Sequence, residues 1–367
     1  MDKEKEVKSS VEYSEKRNYE IEQPAPRVDY SKYLQGNNNE EFAEYSKYDI
    51  KEEPEANNLV TAKDISKSFF NTARRSLLAI ALMVFIAASA YLVYDLVILP
   101  YKHSKMLEDT KVDEGNTATT LLPDTGEVIL DKYSALLNMN EDFVGKLIID
   151  ATGESGINVV QADDNYEYLK KGFKGESSKY GTLFVDYRNN IKKFDTNTII
   201  YGHNMRDGTQ LGALSLYSDI ENYKDFPTIK FNTIYRDYEW KIFAAFISNG
   251  EKEQDNGYAF PYLTTNFSSD EKFLEFIEEV KSRSFYTNEA VDIVPGDKIL
   301  TISTCDTVFE DARFVVMARL VRNGESADVD VSKAIVNDNQ RFPQAWYDVK
   351  GKRNPFKNAS KFSDDKE

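Results

Sequence analysis

KILTISTCDTVFEDARFVVMARLV, residues 298–321, contains two apolar, β-branched runs joined by a short acidic loop. The first run ends on Cys305, the only cysteine in the 367-residue chain. Arg313 opens the second run, and the seven residues between them are enough for the chain to reverse and set Arg313 beside the cysteine strand. A strand end feeding a loop combines rigid backbone with an accessible side chain, a frequent setting for reactive groups. The thiolate is the reactive form, and an unperturbed thiol titrates near about 8.5, so a nucleophilic Cys305 needs a cation or base close by. Arg313 could donate hydrogen bonds to an oxyanion or a substrate carbonyl. On these residues alone, a buried inert cysteine explains the pattern as well. So does an Arg313 paired with Asp306, Glu310 or Asp311.

Working outward, similar runs recur at 146–150, 157–161, 181–187, 198–201 and 238–248, most of them bounded by Gly, Pro, Asn or Asp. With 298–304 and 313–321, their number and spacing predict a mainly β domain over 126–325 built as a closed or nearly closed barrel. One insertion between the late strands is helical, SSDEKFLEFIEEVKSR at 268–283. Ser268 and Glu271 stand at capping-box spacing, and Phe273, Phe276, Ile277 and Val280 share one face. His203 follows the run TIIYG and opens the loop HNMRDG, so it too is expected at a strand end, where acid–base work is its natural role.

Composition narrows the function classes. Net charge is −16, which repels phosphate backbones and argues against nucleic-acid binding. One cysteine cannot form an internal disulfide, and two histidines, His103 and His203, give no Cys/His cluster for zinc. No Gly-rich phosphate loop is present, so no metal or cofactor is expected.

Leu77 to Tyr94 are eighteen uncharged residues, and Asp95 is the only charge before Pro100. About 20 apolar residues at about 1.5 Å rise cross the hydrocarbon core, so 77–99 is expected to be one transmembrane helix. Lys63, Lys67, Arg74 and Arg75 precede it and Lys102, Lys105 and Lys111 follow, which favours a cytoplasmic N-terminus by one charge. Residues 1–62 are expected to be a disordered acidic tail, 63–76 juxtamembrane, and 100–125 a polar stalk. The extension 326–367 is polar but carries RFPQAWYDVKGKRNPF at 341–356, which either docks on the domain or forms a loose tail.

YGHN at 201–204, TISTC at 301–305 and RFVV at 313–316, in that order, resemble the sortases of Gram-positive bacteria. TLFVDYRNN at 182–190, NTIIYGHNMRDG at 197–208 and the helix at 268–283 look like the class B subgroup. The resemblance covers roughly residues 130–322. It implies an eight-stranded β-barrel with N-terminal helices and a type II, single-pass membrane topology with the catalytic domain outside. It further implies Cys305 as nucleophile, His203 as acid/base and Arg313 as stabiliser of the oxyanion or substrate. Asn165, Leu169, Tyr201 and Ser303 fall where the family contacts its peptide. Two positions depart from the family pattern. Ile302 replaces the commoner Leu, and Gln210–Leu211 stand where an apolar and an aromatic residue are expected.

The implied activity is cleavage of a sorting signal resembling Asn-Pro-x-Thr-Asn through a Cys thioacyl intermediate. The surface protein is then transferred to an amine of the peptidoglycan precursor. Three alternatives stay open from sequence: a pilus-assembly enzyme using a pilin Lys as acceptor, a membrane-tethered binding domain without turnover, and a thiol hydrolase using water.

Overall fold

A computed structural model describes residues 62–123, 125–153 and 156–364; the acidic tail read at 1–62 lies, but for its last residue, outside them. The chain divides into two compact units, one ending at Val84 and one running from Phe85 to the C-terminus. Helix α1, Ala62–Val93, continues through a π turn at Tyr94–Ile98 into α2, Leu99–Asp109. Pro100 explains the π turn, because it has no N–H and its ring crowds the preceding turn, which forces the hydrogen bonds to a wider register. The apolar window of this helix is long enough to cross a membrane, and none of it is buried.

The segment 100–125, expected to be a polar stalk, is structured instead. Helix α2 turns one side onto the domain: His103 and Thr110 are buried, and Met106 and Leu107 pack against core clusters. The His103 ring stacks on Tyr180 at 4.3 Å. A hairpin of β1, Thr119–Leu121, and β2, Val128–Leu130, follows, and then α3, Ser134–Met139.

The remaining strands are β3 (Phe143–Ile148), β4 (Ile157–Val160), β5 (Leu183–Val185) and β6 (Asn197–Tyr201). After α4 (Ile220–Asp225) come β7 (Thr228–Thr233) and β8 (Glu239–Asn249). Then α5 (Asp270–Arg283), β9 (Tyr286–Asn288), β10 (Ile299–Cys305) and β11 (Ala312–Leu320) follow. Eight strands close a barrel in the order β10-β11-β8-β7-β3-β4-β5-β6, with β6 lying parallel to β10. The mainly β, eight-stranded barrel expected from sequence is the fold observed. Strand β7 is the barrel member that the run pattern did not single out.

Side-chain alternation sorts the strands into two faces. Leu183, Val185, Ile200, Leu300, Ile302, Phe314 and Val316 fill the barrel interior. Ile299, Val315 and Met317 point the other way, under the α5 face of Phe273, Phe276, Ile277 and Val280. Strands β10 and β11 are thus buried on both sides, which explains why their sequences read as nearly continuous apolar runs. The helix cap lies one residue later than read: Ser269, not Ser268, accepts from the Lys272 backbone N–H at 3.2 Å. The Ser268 N–H instead donates to Asp364 at 2.9 Å.

The C-terminal extension docks. Its strand β12, Ala334–Val336, pairs with β9, and α6, Gln344–Val349, follows. Phe342 and Trp346 stack at 3.9 Å, and Tyr347 and Phe362 are buried. The aromatics that gave 341–356 its unusual texture are its anchors.

Candidate active site

Cys305 and Arg313 are direct partners across the β10–β11 ladder. The intervening loop is tied off by the Asp306 N–H on the Ala312 carbonyl at 2.8 Å, and by Asp311 in a left-handed conformation (φ 55°). Arg313 Nη1 lies 3.8 Å from Cys305 Sγ and donates to the Ala312 carbonyl at 3.2 Å. Its only carboxylate neighbour within ion-pair reach among the described residues is Asp311, 3.9 Å away and half exposed. A pair that long and that wet contributes little, so the guanidinium is directed at the thiol rather than spent on a salt bridge. Cys305 itself is exposed, not the buried inert cysteine that sequence left open.

The parallel β6–β10 pairing brings His203 to the same place. Tyr201 is opposite Ser303, and two residues further along each strand stand His203 and Cys305. Thr304 Oγ1 donates to the Gly202 carbonyl at 2.8 Å, and Asn204 Nδ2 donates to the Cys305 carbonyl at 2.7 Å, so both ends of the junction are pinned. Gly202 is required by space: a Cβ there would meet Leu211 Cδ1 at 2.9 Å and Leu183 Cδ1 at 3.1 Å. The Gln210–Leu211 departure is accommodated by the same packing. Leu211 is fully buried, its N–H donates to the His203 carbonyl at 3.1 Å, and Gln210 takes a left-handed turn (φ 55°).

His203 Nε2 sits 2.6 Å from the Leu169 carbonyl. A carbonyl only accepts, so Nε2 carries a proton in this arrangement. The imidazole is therefore held by the single 3-10 turn at Glu167–Leu169 and not by the thiol.

The side chains of Phe184, Tyr201, Ser303, Cys305 and Arg313 all leave the outer face of β5, β6, β10 and β11, opposite the barrel core. Together with Asn165, Tyr166, Leu169, His203, Lys252 and residues 259–264 they line a groove of about 570 Å³. Every residue singled out from sequence lies in it. Asn165 is fixed at both ends of its amide: Nδ2 donates to Asp186 at 3.0 Å and Oδ1 accepts the Tyr187 N–H at 3.1 Å.

Asp186 is the hub that sequence reasoning missed, although it stands within the quoted string TLFVDYRNN. It is fully buried and accepts from Tyr201 Oη at 2.8 Å and from Arg188 Nε and Nη2 at 2.9 and 3.0 Å. Burial opposes its charge, but hydrogen bonds from Arg188 and then Tyr201 hold the carboxyl below the usual range. Burial and the Asp186 charge push the Tyr201 phenol up, so it stays a donor. Tyr262 was also missed. It is buried, and its hydroxyl pairs with Ser303 Oγ at 3.0 Å. It belongs to an irregular stretch with no period to read, and only the fold brings it to the groove.

Comparison with known proteins identifies the family. Residues 149–321 match the model of the sortase domain. The chain is 36% identical over 224 residues to sortase B of Listeria monocytogenes, covering 60% of this chain and 86% of that protein. It is 30% identical over 198 residues to sortase B of Staphylococcus aureus, covering 53% of this chain and 77% of that one. Among solved structures, sortase B from B. anthracis in complex with AAEK1 superimposes with a TM-score of 0.51 at 30% identity. That likeness covers 61% of this chain and 99% of the other. A closed eight-stranded barrel, a lone cysteine paired with an arginine across one ladder, and these relatives lead to one conclusion: the chain belongs to the sortase family, as a cysteine transpeptidase of the class B kind.

Proposed function

We propose that this transpeptidase is a membrane-anchored, type II enzyme. It cleaves an Asn-Pro-x-Thr-Asn-like sorting signal and attaches the released surface protein to an amine of the cell-wall precursor. The observation that carries the reading is the Arg313 guanidinium 3.8 Å from the Cys305 sulfur, in a groove that also holds His203.

In the first step the Cys305 thiolate attacks the Thr carbonyl. An S–C bond forms, and Arg313 donates to the oxygen as it gains charge. The C–N bond then breaks, and a proton from His203 goes to the leaving amine. In the second step the incoming amine attacks the thioester. Its N–C bond forms, His203 takes the proton, and the S–C bond breaks to regenerate the thiolate. The acid role of the first step belongs to the imidazolium form of His203, and the base role of the second to the neutral imidazole. Asn165, Leu169, Tyr201 and Ser303 line the groove and serve as the peptide-contacting set. An apolar helix long enough to span a membrane supports anchoring, and the flanking charges favour a cytoplasmic N-terminus.

The test incubates the full chain in detergent with a panel of quenched sorting-signal peptides, with and without glycine-based and Lys-based amines, beside Cys305→Ala. Amine-dependent ligation of an Asn-Pro-x-Thr-Asn peptide by wild type alone is expected. Ligation only to a pilin-type Lys acceptor would move the reading to pilus assembly, and cleavage indifferent to any amine would make it a hydrolase. Protease added to intact cells is expected to remove the catalytic domain; a protected domain would overturn the topology.

A further inference from the structure

One wall of the groove is not part of the barrel. It consists of residues 259–264, in the irregular stretch between β8 and α5, and includes Tyr262, which reaches Ser303. Such a stretch has few ladder hydrogen bonds of its own, so something else must fix it. Its far end is held from the barrel side, where Asn197 Nδ2 donates to the Tyr262 and Thr264 carbonyls at 3.2 and 2.9 Å and Arg188 Nη2 to the Leu263 carbonyl at 3.1 Å. Its leading end, through Phe260 and the preceding residues Asp255 and Tyr258, is met by the C-terminal extension. Gln344 N–H donates to Asp255 at 3.0 Å. Tyr258 Oη donates to the Phe362 carbonyl at 3.0 Å. The Phe362 ring packs edge-on against Phe260 at 6.3 Å and Phe276 at 5.7 Å, filling the seam between the wall and α5.

A charged network adds a second tie. Glu279 on α5 accepts from Arg283 at 2.7 Å and from Arg341 of the extension at 2.8 Å. Arg341 also donates to the Ser360 carbonyl at 2.9 Å. The Arg283 guanidinium, wholly buried, lies over the Phe260 ring at 4.7 Å. Through Glu279 and Arg283, then, Arg341 is linked to the same wall residue that Phe362 touches. The sortase-domain match, residues 149–321, stops before the extension that supplies Arg341, Gln344 and Phe362.

We propose that residues 326–364 are part of the substrate-binding apparatus, as a brace that holds the leading end of the 259–264 wall, at Phe260, in shape and so sets affinity for the peptide substrate. Phe362 and Arg341 are positioning residues, and neither lines the groove. The proposal rests on the groove being the peptide site.

The experiment uses the full chain in detergent as wild type, Phe362→Ala, Phe362→Leu and a chain ending at residue 355. Hydrogen exchange is followed over 255–265, β10 and β11, with KM and kcat for the cleaved peptide and the alkylation rate of Cys305 by iodoacetamide. For Phe362→Ala and the shortened chain, exchange over 258–264 is expected to rise about tenfold while β10 and β11 stay unchanged. KM is expected to rise about five- to tenfold with kcat and alkylation within about twofold, and Phe362→Leu should recover most of the loss. Unchanged exchange at 258–264 overturns the brace whether or not a peptide is cleaved, which separates its failure from that of the substrate reading. Exchange rising equally in β10 and β11, with kcat and KM lost together, overturns it too, because the extension would then supply only general stability.

Discussion

Replacing Arg313 by Lys separates charge from geometry at the point where the chemistry is proposed to occur. Arg313 faces Cys305 across the ladder, and its Nη1 is 3.8 Å from the sulfur. Among the described residues, its other hydrogen-bond and ion-pair partners are the Ala312 carbonyl at 3.2 Å and Asp311 at 3.9 Å. Losing a long, half-exposed pair to Asp311 costs no more than about 1 kcal/mol, so the fold should survive. Losing the planar fork is a different matter. Removing one donor to a developing oxyanion lowers kcat by about 10²–10³, or roughly 2.7–4 kcal/mol. Lysine keeps the charge but offers a single, mobile ammonium, which puts Arg313→Lys near the 10² end and Arg313→Ala near 10³. Steady-state kinetics on the cleaved peptide, with thermal unfolding as the control for folding, measures this. KM should change only a few-fold, because the interaction strengthens in the transition state. A kcat within threefold of wild type for both variants would falsify the assignment. An elevated KM with kcat intact would instead make Arg313 a ground-state binder.

Gly202→Ala places a Cβ 2.9 Å from Leu211 and is expected to shift the His203 loop, cutting kcat more than about tenfold while iodoacetamide still labels Cys305 at the wild-type rate; equal kcat would show that the loop tolerates the crowding. Tyr201→Phe removes one hydrogen bond from buried Asp186, and a stability loss of about 1–3 kcal/mol with a raised KM is expected in urea melts and kinetics. Glu325 holds the fully buried Arg319 with contacts of 2.6 and 2.7 Å, so Glu325→Gln should cost about 3 kcal/mol of unfolding free energy. Hydrogen bonds from Arg319, more than any other cause, hold the Glu325 carboxyl far below the usual range. A depressed carboxylate contributes stability that is full above its unfolded pKa of about 4.3 and drains away as pH falls below it. Wild-type Tm should therefore fall below about pH 4 more steeply than that of the Gln variant, and parallel curves would rule the linkage out.

The parts of the site legible in the sequence are those fixed by strand register. Cys305 and Arg313 end and begin adjacent strands of an antiparallel pair, so their order and spacing allowed contact, and the observed register supplies it. His203 closes a β-branched run, but nothing local reveals that its strand lies parallel to β10; the motif resemblance supplied that link. Strand β7 was hidden because, over its first four residues, TIKFNT buries only Ile229 and Phe231 and carries Lys230 between them, an amphipathic pattern too short to stand out. Asp186, Tyr262 and Phe362 were missed for another reason. A buried carboxylate, a loop tyrosine and a C-terminal phenylalanine acquire their roles only from partners far away in sequence. The same holds for residues 100–125. A polar, Gly- and Pro-containing segment reads as a spacer until His103 is seen stacked on Tyr180.

The central claim is that Cys305 carries the acyl group between donor and amine. Intact-mass spectrometry of the full chain, mixed with an Asn-Pro-x-Thr-Asn peptide and quenched in acid, tests it most directly. The expected result is an adduct equal to the acyl fragment ending in Thr, mapped to the peptide that contains Cys305. It should disappear on addition of the acceptor amine as the ligated product accumulates. Ligated product formed at the same rate by Cys305→Ala, or an adduct mapped to any other residue, would contradict it.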